Sequence, residues 1–233
     1  MRFSAIICFL LIWSSFVLAE PHVSCHQKWK EMEIEGMKIR LYRLRAQAFP
    51  HGKSYKLFVR NVDGSTTETF CYIANPKGHL ILTEPEDVKL AAPYIVTPLR
   101  RGEKVSYGMV SIDGDQEYAI EMIPFPNEIV KGKLKMAIEL ADVDGKEFIC
   151  RGSGFKPNEP LHFEYTFAQE QRSYSCVAGS EGSFMFPMQL SGVLEDSKEA
   201  AMKLTYANGR LDLTFPWGRQ ASEFVGASCL EIK

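Results

Sequence analysis

The chain has 233 residues, 45% hydrophobic and 12% aromatic, with 27 Lys and Arg against 29 Asp and Glu. That is ample apolar material for packed cores, and it lacks the basic excess a nucleic-acid binder needs to displace phosphate counterions. Nucleic acid is therefore excluded as the expected partner.

The first 19 residues read as a secretory signal peptide. Arg2 supplies the positive charge, residues 5–13 form an unbroken apolar run, and Val17-Leu18-Ala19 offers small residues for cleavage. Ser14 and Ser15 interrupt the apolar run, which is short for a membrane span of roughly 20 residues. No other run approaches that length, so no stable membrane span is expected after cleavage. Export places the protein in a periplasmic or secreted location. Cleavage would leave 214 residues, which suits two ordinary domains.

Five cysteines follow the leader: Cys25, Cys71, Cys150, Cys176 and Cys229. In an oxidising compartment all five are disulfide candidates, and the odd number leaves one over. The sequence does not choose among the pairings. No C-x-x-C is present, so neither a thioredoxin-like site nor a zinc knuckle is supported.

Beyond the leader, strand signals dominate. Lys28 to Met37 is one of two weak helix candidates, and Glu195 to Met202 is the other. Lys38, Arg40, Arg43 and Arg45 form one basic cluster, which alternation spreads over both faces of a strand. Asp63-Gly64, Asp113-Gly114, Asp144-Gly145 and Asn208-Gly209 each lie between alternating hydrophobics, the pattern of a β-hairpin turn. Leu134, Met136, Ile138 and Leu140 alternate with Lys135, Ala137 and Glu139.

The chain also repeats itself. Ala48-Phe49-Pro50-His51-Gly52 corresponds to Gly154-Phe155-Lys156-Pro157-Asn158, at an offset of about 106 residues. Each passage leads to a cysteine strand, Phe70-Cys71-Tyr72-Ile73-Ala74 and Tyr174-Ser175-Cys176-Val177-Ala178. Each cysteine strand is followed by a glycine turn, Gly78-His79-Leu80 and Gly182-Ser183-Phe184. Cys71 and Cys176 are aligned on this reading, and Phe155 and Phe163 are expected in a core. The expectation is an all-β chain of two tandem antiparallel β-sandwich domains, at 28–130 and 131–233, each of about seven strands.

The second repeat, Phe148 to Gly218, carries a family resemblance. Its Gly154-Phe155-Lys156-Pro157-Asn158-Glu159, its cysteine strand, Gly182-Ser183-Phe184-Met185-Phe186-Pro187 and Leu213-Thr214-Phe215-Pro216-Trp217-Gly218 resemble immunoglobulin-like modules of bacterial exported proteins. The first repeat, Leu41 to Pro126, carries it more weakly. The resemblance implies two immunoglobulin-like sandwiches acting at the envelope or outside the cell. Two such domains in tandem are also similar to the periplasmic chaperones of pilus assembly. Met136-Ala137-Ile138-Glu139-Leu140 could serve as their hydrophobic strand, but no residues match their basic pair.

Catalytic patterns are sparse. There is no Gly-x-Ser-x-Gly and no Gly-rich phosphate loop, and the five histidines show no metal-ligand spacing on a helix. Asp113-Gly114-Asp115 and Asp142-Val143-Asp144-Gly145 fall short of a calcium loop. His162 is expected at the surface. The protein is expected to be no enzyme, to use no cofactor and to act through contact with another envelope or extracellular protein. A glycan or small ligand is the alternative partner, with Trp217 and Phe215 as the candidate binding residues because Trp217 follows a strand and precedes a polar turn. A hydrolase is the lowest reading.

Overall fold

The computed structural model describes residues 20–34, 36–83, 95–191 and 199–232. The leader lies outside these residues, as does the first part of the Glu195–Met202 helix candidate. Seventeen strands and one short helix are described. The first eight strands are β1 (His22–Ile34), β2 (Met37–Gln47), β3 (Ser54–Arg60), β4 (Thr66–Ala74), β5 (Leu80–Thr83), β6 (Ile95–Arg100), β7 (Val105–Ser111) and β8 (Glu117–Met122). The next eight are β9 (Asn127–Lys131), β10 (Leu134–Leu140), β11 (Glu147–Ser153), β12 (Pro160–Phe167), β13 (Glu170–Val177), β14 (Phe184–Gln189), β15 (Glu199–Tyr206) and β16 (Gly209–Pro216). Helix α1 (Arg219–Ser222) and a last strand, β17 (Phe224–Ile232), follow.

The strands make four sheets, ordered β1-β2-β17-β6, β5-β4-β3-β7-β8, β14-β11-β10-β9 and β13-β12-β15-β16. The last two face each other over one core, in which Met136, Ile138, Phe148, Phe163, Leu204 and Phe215 are among the buried residues. The hairpin β12–β13 lies beside the hairpin β15–β16 through β12–β15 pairing, while β11 and β14 pair on the opposite sheet. This crossing of strands between sheets is the immunoglobulin-like arrangement. Counted along the chain, this core around Phe163 is the second, and the first two sheets enclose the first core, built from Tyr42, Leu44, Tyr55, Leu57, Tyr107 and Leu230. Its β3–β7 pairing repeats β12–β15.

The repeat is visible bond for bond. Phe49 N–H donates to the Gly78 carbonyl at 3.1 Å, and Phe155 N–H donates to the Gly182 carbonyl at 3.1 Å. Ala74 N–H donates to Lys53 and Ala178 N–H to Glu159, again at matching places. Phe49 and Phe155 are 2% and 5% exposed, each buried in the core of its own sandwich, as expected for Phe155. The four Asp-Gly and Asn-Gly turns all sit between paired strands, and each glycine has positive φ.

Three expectations are corrected. Lys28 to Met37 is not helical: residues of β1 pair with β2 from His22↔Gln47 to Ile34↔Met37, and the mixed spacing of its apolar residues never made a helical stripe. Cys71 and Cys176 are not equivalent positions. Lys56 pairs with Cys71 but Leu57 pairs with Thr69, so Phe70 is the extra residue of a bulge that slips the register by one. Cys176 corresponds instead to Tyr72, since Leu161↔Cys176 repeats Tyr55↔Tyr72.

The third correction concerns the division at 130 and 131. It cuts β9, whose residues Asn127–Lys131 pair with β10. It also assigns β17 to the second sandwich, whereas β17 lies between β2 and β6 in the first. The chain passes between sandwiches at residues 123–126 and returns after residue 223. Strand pairing, not chain order, decides sheet membership, and β17 finds two partner strands there.

Candidate interaction site

The outer face of the sheet β14-β11-β10-β9 is a shallow trough beside the passage between the sandwiches. Strand alternation builds it. Met136, Ile138 and Leu140 of β10 point into the core, so Lys135, Ala137 and Glu139 point out. Register then places Glu128, Ala137, Arg151 and Met185 in one row across four strands, each directly opposite the next. The small Ala137 side chain forms the floor. Ile123 and Pro126 form one wall, and the cavity volume is about 730 Å³.

Two ion pairs flank the floor. Lys135 Nζ lies 2.7 Å from Glu128, and Arg151 Nε lies 2.9 Å from Glu139. The Glu139 side chain is only 12% exposed, so its charge is held close to the Arg151 guanidinium. Met185 is 63% exposed at the rim. Beneath the trough, the buried Asn127 donates from Nδ2 to the Ile138 carbonyl at 3.4 Å, and its Oδ1 has no partner among the described residues. The arrangement offers apolar surface, paired charges and an open mouth, the composition of a contact surface.

The passage beside the trough is rigidly tied. The Gly102 carbonyl accepts from Leu140 N–H at 2.9 Å, and Gly102 N–H donates to the Phe125 carbonyl at 2.7 Å. Glu103 is fully buried, and its carboxylate accepts the Arg100 N–H at 2.9 Å. Arg100 also donates from Nε to the Ser222 carbonyl at 3.0 Å and lies over the Phe224 ring. One arginine thus holds the turn after β6 and the start of the return strand together.

The sequence-chosen residues lie elsewhere. Trp217 and Phe215 are each 1% exposed. Trp217 meets the Phe167 ring edge-on at 5.4 Å and Phe215 meets Phe148 at 5.2 Å. Both belong to the second core, so neither can offer a flat aromatic contact. The turn after β16 buries them because Gly218 N–H bonds to the Gly145 carbonyl, folding residue 217 inward. His162 is exposed and bonds to Ser175 Oγ at 2.9 Å. The two acidic turns are occupied by the chain's own donors: Lys53 sits 2.7 Å from Asp115 and 3.4 Å from Asp113, and Asp142 accepts the Lys146 and Glu147 amides.

Cys25 lies on β1 and Cys229 on β17. Cys71, Cys150 and Cys176 carry no disulfide in the structure. Cys150 and Cys176 belong to the second core, and burial followed by the neighbouring Cys176 thiol pushes the Cys150 thiol far up. Burial also raises Cys176. Neither has the electropositive surroundings of a reactive thiolate. The trough residues were legible only as ordinary alternation. The register that aligns them across four strands depends on pairings the sequence does not state.

No family model matches the sequence, and no curated protein matches it. Among solved structures, similarity is found to a tetra-tandem repeat in the extending region of a large adhesion protein, with 9% identity and a TM-score of 0.27. That alignment covers 90% of this chain and 48% of the other, so the chain spans about half the length of that structure. The chicken interferon gamma receptor alpha chain aligns over 91% of this chain and 97% of its own, with 8% identity and a TM-score of 0.22. The immunoglobulin-like arrangement is read from the strand order itself.

Proposed function

We propose that the chain is an exported, non-enzymatic protein that works by protein–protein contact, and that the trough over β9, β10, β11 and β14 receives its partner. The observation that carries this reading is the row Glu128–Ala137–Arg151–Met185, which joins an exposed methionine, a flat floor and paired charges on one rigid sheet. Arg and Met are enriched in the centres of protein interfaces. The partner is a protein of the envelope or extracellular space, consistent with the composition of the leader. The glycan reading rested on Trp217 and Phe215, and their burial takes away its contact surface.

A photoreactive residue at Met185, introduced into the exported protein in cells, tests the proposal. Ile112, 57% exposed on the first sandwich, is the control position. Capture of one partner from position 185 and not from 112, abolished by Ala137→Trp, is the expected result. Ala137 points outward, so the substitution fills the trough and leaves the core intact. Equal capture at both positions, or capture insensitive to Ala137→Trp, contradicts the proposal.

A further inference from the structure

We propose that the slot between β2 and β6 is a strand-acceptor site, and that a second copy of this chain can fill it with its own β17, so that the protein assembles by strand exchange. The inference stands on topology and is independent of the trough. In the second sandwich the equivalent strands β11 and β14 pair directly. In the first, β2 and β6 are held apart, and β17 lies between them. It runs parallel to β2 from Gly226↔Lys38 to Ile232↔Leu44 and antiparallel to β6 from Phe224↔Arg100 to Leu230↔Ile95. Without β17, two strands would face each other across a gap with their ladder groups unpaired, a strong template for an incoming strand.

The slot is specific for this strand. A Cβ at position 226 would run into the Phe125 ring and the Lys38 carbonyl, so only glycine fits there. Ser228 is fully buried and shares a hydrogen bond with the Tyr107 hydroxyl of the facing sheet. Leu230, also fully buried, completes the core beside them. On the other face Ala227 and Cys229 pack with Ile39 and Leu41. A generic extended peptide lacks this order of glycine, small polar and large apolar residues. Another copy of the chain carries it by definition.

The connection favours exchange. Residues 217–223 link β16 to β17, and α1 is a single turn among them. Trp217 anchors one end of this segment in the second core. Opening that turn gives a hinge of roughly 20–25 Å when extended. An exchanged strand would make the same contacts as the resident one, so only the hinge and the protein concentration set the balance between monomer and assembly. Each copy would give its strand to one neighbour and receive one, which yields a closed dimer or an open chain.

Two readouts test this, both on the full chain. In the first, equal amounts of unlabelled and ¹⁵N-labelled protein are refolded together at high and low concentration and examined by native mass spectrometry. In the second, variants that expel the resident strand, Leu230→Asp and the milder Gly226→Ala, are refolded with a synthetic Phe224–Ile232 peptide. The expected results are mixed-label dimers or longer species only after refolding at high concentration, and peptide retained by a variant with amide protection restored in β2 and β6. A peptide carrying Ser228→Lys should not be retained. If refolding gives monomers at every concentration, or neither variant retains the peptide at 100-fold excess, the proposal is overturned.

Discussion

Leu230→Ala is the sharpest test of where β17 belongs. Leu230 is fully buried and packs in the core of the first sandwich, far along the chain from the rest of that core. Removing its three outer carbons forfeits about 2–2.5 kcal/mol of transfer energy at roughly 0.8 kcal/mol per carbon. The cavity left between β2 and β6 adds to this, and Leu→Ala changes in rigid cores cost about 3–5 kcal/mol in total. At roughly 4–5 °C per kcal/mol for a unit of about 100 residues, the first sandwich should unfold about 12–25 °C lower. Differential scanning calorimetry on Leu230→Ala, beside Leu211→Ala in the second core, separates the two units. The expected pattern is a lowered transition for one sandwich in the first variant and for the other sandwich in the second. If both variants lower the same transition, or Leu230→Ala moves neither, the placement of β17 is wrong.

Other outcomes follow from the matched repeats. Ala48 holds φ at 62°, where its equivalent is Gly154 at 86°, so Ala48→Gly should raise stability by about 0.5–1 kcal/mol in chemical denaturation. Gly182→Ala should cost about 3 kcal/mol or more, because its φ is 69° and the new methyl runs into the Phe155 carbonyl. Gly78→Ala should cost about 1–2 kcal/mol, since the nearest atom, Ala48 Cα, lies 3.0 Å away. Tyr72 is buried, its hydroxyl has no partner among the described residues, and burial raises its pKa to about 12. The folded state therefore favours the neutral phenol: this contribution is complete below pH 10 and is lost as pH rises from about 10 through 12, by roughly 2 kcal/mol. Tyr72→Phe should flatten that alkaline loss in a pH series of urea melts and add about 1 kcal/mol at neutral pH.

Much of the fold was legible because it is local. Asp-Gly and Asn-Gly turns need positive φ, and alternation around them fixed the hairpins and the inward phase of Phe163, Met136 and Ile138. The Phe49 and Phe155 passages were legible because one turn geometry demands the same residues twice. What was not legible depends on distant pairing. The bulge at Phe70 leaves no composition signal, yet it moves Cys71 off the core face that Cys176 occupies. The segment Phe224–Ile232 reads as a strand at either sandwich, and only the gap between β2 and β6 decides. The polar turn after Trp217 left two readings open, a contact residue or a cap on the sandwich core, and Gly218, which folds that turn inward, makes it part of the core. The trough needed four strands in register before its row of residues existed.

The most direct measurement is hydrogen–deuterium exchange of the full chain, followed segment by segment, in the natural sequence and in Leu230→Asp. Residues 226–232 should exchange as slowly as 38–44 in the natural sequence. In the variant, protection should collapse across β2, β6 and β17 while β10–β16 stay protected. Rapid exchange of 226–232 in the natural sequence, or loss of protection in the second sandwich with the first unchanged, would contradict the return strand and everything built on it.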